Sequence, residues 1–341
     1  MTLEILGITV LGMFLFGYII VASIDFGAGF FNAFSTVTGK QHILTKVIQR
    51  YLSPVWEVTN VFLVFFFVGM VGFFPKTAFY YGSTLLVPAS IAIVLLAIRG
   101  AYYAFTTYGG LNHKRYTILY GLTGLFIPAS LSIVLTISEG GFVKMNKAGP
   151  QLDYWALFTS PLSWSIVVLS LTAVLYISAV FLTWYAHKAK DEEATNLLRK
   201  YALIWAAPAI ITAAGIIVEM RTHNPGHYKG LIDFWWLFAL SVVLFAGSVY
   251  LIWKRRSYGA AFWLLIGQFT TAFLAYGISH YPYLMYPYLT IYDSFTNESM
   301  AIALVVAFVA GLGLLLPSLY LLLKLFLFNK EYVQGKRDDH A

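Results

Sequence analysis

The chain has 341 residues, of which 60% are hydrophobic and 11% charged, and its formal net charge is +7. A soluble domain carries roughly 25% charged residues, so a soluble globular protein is excluded, and the length is better divided by the roughly 20 apolar residues of one bilayer-crossing helix. The absence of cysteine excludes disulfides, thiolate-held zinc and protein-ligated iron–sulfur clusters, and the basic residues fall in short clusters between apolar runs, which is membrane-flank behaviour rather than a nucleic-acid surface.

Nine apolar runs follow in chain order, at about 5–24 or beyond, 54–74, 78–98, 116–137, 162–186, 201–218, 231–253, 258–278 and 301–326. Each is continuously apolar and about 20 residues long, where a barrel strand is about 10 residues and alternates. The predicted fold class is therefore all-α, a polytopic membrane protein with nine transmembrane helices. The opening MTLEIL has no basic segment and no small-residue cleavage pattern, so it reads as a retained first span. After it, QHILTKVIQRYL sets Ile43, Leu44, Val47, Ile48, Tyr51 and Leu52 on one face, opposite Lys46 and Arg50, as expected of a helix lying on the cytoplasmic surface. VPASIAIV at 87–94 is echoed by IPASLSIV at 127–134, each placing a proline inside a span; a repeat and a chance recurrence both account for it. The segment HYPYLMYPYLTIYDSF, 280–295, reads as a headgroup-level loop, with a rigid lid or a docking surface as alternatives.

Lysine and arginine set the orientation. Of the 22, Lys76, Lys144, Lys147, Arg221 and Lys229 fall on one side and the other 17 on the opposite side. The asymmetry puts the N-terminus outside and the C-terminus in the cytoplasm, which an odd number of spans allows.

Three charges interrupt the apolar text: Asp25 in VASIDFGAGFFN, Glu57 in PVWEVTN and Arg99 in LAIRGAYYAF. With the orientation fixed, they are expected at the cytoplasmic ends of the first three spans, at one level. A carboxylate at a helix C-terminus opposes the helix dipole and burial disfavours its charge, so Asp25 needs a partner or a proton, and Arg99 is the obvious partner. Each residue taken alone also reads as an interfacial residue marking a helix end. Ionisable residues inside spans mark ion or proton routes, and Glu57, with no basic residue in its span, is the better proton carrier. Asp25 reads as a structural or entry acid, with Gly27 and Gly29 permitting close helix approach beside it.

A membrane haem needs an axial His or Met aimed inward from a helix, but His42, His113, His187, His223, His227, His280 and His340 lie in loops, tails or at span ends. The expectation is that this chain binds no haem, no metal and no other cofactor of its own. On these residues alone, a proton- or ion-coupled secondary transporter reads ahead of a redox subunit or a scaffold.

Taken together, IDFGAGF, PVWEVTNVFLVF, LAIRGAYYAF and YPYLMYPYLTI, in this order along most of the chain, resemble subunit II of the cytochrome bd-type quinol oxidases. The second motif departs from the commoner form, with Thr59 where asparagine is usual and Phe62 where tryptophan is. The resemblance implies two four-helix bundles, about 1–138 and 160–279, and a peripheral last helix, about 298–328, within one integral membrane domain in the bacterial cytoplasmic membrane. It implies a heterodimer with subunit I, which would carry two b-type haems and one haem d, oxidise quinol from the membrane pool and reduce oxygen to water; small single-span accessory subunits are common in the family. It also implies a cytoplasmic proton path through Glu57 and Asp25, supported by Trp56 and Arg99.

Overall fold

The computed structural model describes residues 2–108, 114–147, 149–322, 324–325, 329 and 333, without the side chains of 51–58 and 106–108. The elements are α1 (Leu3–Val37), α2 (Gln41–Phe73), α3 (Pro75–Thr84), α4 (Leu86–Tyr108), α5 (Lys114–Leu131), α6 (Ile133–Ser138), β1 (Val143–Asn146), β2 (Gly149–Leu152), α7 (Tyr154–Thr159), α8 (Pro161–Lys188), α9 (Glu192–His223), α10 (Pro225–Asp233), α11 (Trp235–Trp253), α12 (Tyr258–His280), β3 (Tyr283–Met285), β4 (Leu289–Thr290) and α13 (Glu298–Leu322). Eight of the described helices are long and apolar enough to cross a bilayer, and Thr59–Phe73, which passes the same test together with α3 at a bend of 119°, makes a ninth candidate. The all-α reading stands.

Two boundaries differ from the sequence reading. The third crossing is α4, which begins at Leu86; residues 75–84 belong to α3, folded back at the outer face after Pro75 starts a new helix at its first position. The segment 41–52 is no separate surface helix either, because it continues unbroken into the second span as α2. Its apolar face is covered by protein: Leu44, Val47 and Ile48 are buried against residues of α8 and α9. A lipid surface and a neighbouring helix demand the same amphipathic pattern, and here the neighbour takes it.

The helices pack as two groups of four. In the first, α1 contacts α2 and α5, and α5 contacts α4; in the second, α8 contacts α9 and α12, and α11 contacts α12 and α9. The groups join through α1 against α8, while α13 lies on α2 and α1. Where no water drives association, helices approach through small residues. A Cβ added at Gly27 would sit 2.3 Å from the Ser178 Cβ on α8, and one at Gly124 of α5 would sit 2.5 Å from the Phe26 carbonyl oxygen on α1.

The outer ends carry a folded cover rather than a headgroup-level loop. Met285 and Leu289 of the β3–β4 ribbon are fully buried, packed with Ile137, Phe142 and Leu152. The cover is tied by hydrogen bonds from the Tyr286 amide to the Ser138 carbonyl at 2.9 Å, from Tyr81 Oη to the Leu284 carbonyl at 2.8 Å, and from the Thr77 amide to Ser294 Oγ at 2.7 Å. Of the two echoed prolines, only Pro128 lies inside a helix. Pro88 falls in the first turn of α4, where its missing N–H is ordinarily tolerated.

Candidate functional site

Asp25 and Arg99 meet, but not at helix ends. Asp25 lies 12 residues before the last residue of α1, about 18 Å along the axis, and Arg99 lies 9 residues before the last of α4, about 14 Å. The dipole argument for a partner therefore drops out, and burial alone demands one, since Arg99 is 0% exposed and Asp25 2%. Arg99 Nε donates to Asp25 Oδ2 at 3.1 Å, Nη2 to the Asp25 carbonyl at 2.7 Å, and Nη1 to the Tyr120 carbonyl at 3.0 Å. Tyr120 Oη donates to Asp25 Oδ1 at 3.2 Å.

The guanidinium also lies 3.7 Å from the centre of the Tyr120 ring and 5.2 Å from that of Phe26, so its faces meet aromatic electron density while its edge is hydrogen-bonded. Gly29 makes room for this stack: a Cβ there would fall 2.8 Å from the Tyr120 ring and 3.1 Å from Arg99 Nη1. Both carboxylate oxygens of Asp25 have donors, and three helices, α1, α4 and α5, are tied at one level.

The side chains of Trp56 and Glu57 lie outside the described residues. Their place on the backbone is set by the antiparallel register of α1 and α2. Gly17 faces the Phe62 ring, and Thr45 Oγ1 donates to Asn32 Oδ1 at 3.0 Å. Interpolating between these contacts puts residue 57 about one helical turn from the level of Asp25. Residues 25, 57 and 99 thus belong to neighbouring helices at similar levels along their axes, within the helices rather than at their ends.

A second buried polar cluster, which the sequence reading did not assemble, lies at the opposite, outer face. Glu139, in the turn after α6, accepts from Tyr276 Oη in a short hydrogen bond and from Asn224 Nδ2 at 3.1 Å. The His227 Nδ1 atom lies 2.9 Å from Glu139 Oε2, and that of His280 lies 3.8 Å from Oε1. Glu139 is buried, with two hydrogen-bond donors and two imidazole rings around its carboxyl. The signal was in the chain all the same, since Glu139, His227 and His280 stand at the outer ends of the fourth, sixth and eighth crossings.

With the fold and its buried charges described, comparison with known proteins decides the family. Residues 3–326 match the family described as "Cytochrome bd terminal oxidase subunit II". The chain belongs to the cytochrome bd terminal oxidase subunit II family. It is similar to a protein of Bacillus subtilis (strain 168) whose name assigns it to subunit II of a cytochrome bd menaquinol oxidase, at 32% identity over 97% of each chain. It is also similar to a chain in the structure of the bd oxidase from Geobacillus thermodenitrificans, at 68% identity and a TM-score of 0.85, covering 96% of this chain and all of the other.

As a bd oxidase subunit II, the protein is a multi-pass component of an oxidoreductase complex in the bacterial plasma membrane, and the ion-coupled carrier is left without support. Membership implies a complex with subunit I, and haems in that partner are consistent with it. The exposed apolar faces of its helices, such as Ile91, Ile93, Val94 and Ile98 on α4, suit lipid or such a partner.

Proposed function

We propose that this chain is the haem-free half of a menaquinol-oxidising bd complex, in which a buried layer of charge delivers protons to, and steadies, the oxygen-reducing site of subunit I. Within that layer Asp25 and Arg99 do different work from Glu57. The observation that carries the reading is the buried pair: Asp25 accepts from Arg99 at one oxygen and from Tyr120 at the other, so both oxygens are engaged in tying the helices. It serves to hold α1, α4 and α5 in register, with Trp56 of α2 as a supporting residue. Glu57 then carries the proton: it is a carboxyl with no basic residue in its own span, and a positioned carboxyl can both take and give a proton.

The reduction of oxygen consumes protons, and a route from the cytoplasmic side through α2 supplies them without a pump. Menaquinol is the quinol favoured, from the similarity to the Bacillus subtilis protein; the haems belong to subunit I, and a small single-span subunit completes the assembly. The test is Glu57→Gln in the complete complex. Oxygen consumption falls by about 10²-fold, the lower range for loss of a positioned acid–base group, while the haem spectrum stays at wild-type intensity. Unchanged turnover would remove Glu57 from the path.

A further inference from the structure

We propose that Glu139, His227 and His280 form a divalent metal site, best suited to zinc, that pins the two helical groups together at the outer face. Their ligand atoms all lie within 4.8 Å of one another. The three come from different elements: Glu139 from the turn after α6 in the first group, His227 from α10 and His280 from the end of α12 in the second.

The proton inventory shows why these atoms need a cation between them. Ser279 Oγ lies 2.9 Å from the Tyr276 carbonyl, and a carbonyl can only accept, so the serine hydroxyl donates there. His227 Nε2, 2.8 Å from the same Ser279 Oγ, must therefore be the donor in that contact. In a neutral ring this leaves the Nδ1 lone pair of His227 facing the Glu139 oxygens at 2.9 and 3.0 Å and the His280 Nδ1 at 3.4 Å. Glu139 receives donors from Tyr276 and Asn224. Two imidazole nitrogens and a carboxylate converge on one point, which must hold either a proton or a metal ion.

The separation of the two imidazole nitrogens suits a metal, while the 2.9 Å from His227 Nδ1 to Glu139 Oε2 is also a hydrogen-bond length. Zinc binds histidine nitrogen at about 2.0–2.1 Å with tetrahedral angles, which sets two such nitrogens about 3.3–3.4 Å apart. The His227 and His280 Nδ1 atoms are 3.4 Å apart. A single proton on His227 answers the carboxylate but leaves His280 Nδ1 with only long contacts, 3.4 Å to His227 Nδ1 and 3.8 Å to Glu139 Oε1. Among the described residues the buried His280 Nε2 has no hydrogen-bond partner, so coordination at Nδ1 would be the strongest polar interaction that ring makes. The outer shell is built as well: Ser279 orients His227, and Asn224 and Tyr276 orient the carboxylate, as metal-ligating side chains require. Two histidines and a glutamate form a known zinc donor set, leaving a fourth position for water.

The experiment is metal analysis of the purified complex from cells grown with added zinc, by plasma mass spectrometry normalised to protein, with zinc-edge X-ray absorption on the same sample. One zinc per complex is expected, with nitrogen and oxygen neighbours at about 2.0–2.1 Å. It should be lost in His227→Gln and in His280→Gln while the haem spectrum and gel-filtration profile are retained. Stoichiometric manganese or non-haem iron that vanishes in the same variants would keep the site and change the ion. Wild-type complex with no stoichiometric metal beyond haem iron, or zinc that persists in both variants, would overturn the proposal. If one variant fails to assemble, Glu139→Gln with the same two readouts decides.

Discussion

Arg99→Met is the perturbation that bears most directly on the buried pair. Methionine roughly fills the aliphatic stem and removes the charge, leaving the Asp25 carboxyl at 2% exposure with Tyr120 Oη as its remaining side-chain donor. Three donated hydrogen bonds go with the guanidinium. Removing one partner of a buried ion pair costs about 3–5 kcal/mol, most of it the penalty of the charge left behind. That is roughly a hundred- to a few-thousand-fold in the folded-to-unfolded ratio. Asp25→Asn in the same chain removes the stranded charge, and replacing both partners of a buried pair is often close to neutral. The double variant is therefore expected to recover about half of the loss or more, a coupling of about 2 kcal/mol in a double-mutant cycle. Denaturant titration of the purified complex, followed by tryptophan fluorescence, reads all four species of the cycle. Arg99→Met within about 1 kcal/mol of wild type, or strictly additive single effects, would refute the claim that this pair holds the three helices.

Close helix contact gives two further expectations. Gly124→Ala puts a Cβ 2.5 Å from the Phe26 carbonyl, a backbone atom that cannot rotate away, so it should cost about 1–3 kcal/mol as overpacking does in the same titration. Gly82→Ala in the exposed α3 meets nothing within 4 Å and should be stabilising by about 0.5–1 kcal/mol. At the outer hairpin, Asp153 caps α7 by accepting from the Ala156 amide and pairs with Lys144 at 2.5 Å; the Lys144 bond first, then the cap, hold its carboxyl below 3.8. A group with a depressed folded value stabilises above its unfolded one and loses that contribution as pH falls through the folded value. Hydrogen exchange at Ala156 should accordingly lose protection below pH about 4, after correction for the intrinsic rate, and unchanged protection there would deny the cap its role.

Much of this architecture could be read in the chain because a bilayer asks for something simple, about 20 continuously apolar residues, and the spacing of Lys and Arg then orders the ends. Asp25 and Arg99 were legible as a pair for the same reason, since an isolated charge in apolar text must find its opposite. Their distance from the helix ends was not, because α1 runs on past its apolar window through polar residues such as Asn32 and Thr36, which are buried in the protein, and hydropathy cannot tell burial in protein from burial in lipid. The same ambiguity turned the amphipathic start of α2 into a surface helix and hid the break at Leu85, where a second apolar run masks a change of direction. The outer cluster escaped for a different reason. Glu139, His227 and His280 look like ordinary span-end residues one at a time, and only the packing of α6, α10 and α12 makes them one site.

The central claim, that this chain works as one subunit of a haem-bearing oxidase, is met most directly by affinity purification through a tag on this chain and a reduced-minus-oxidised absorbance spectrum of what elutes. The account predicts a larger partner in equal amount, absorbance bands of b- and d-type haem, and menaquinol-dependent oxygen uptake in the same fraction. Elution of the chain alone, folded and without haem absorbance, would contradict it.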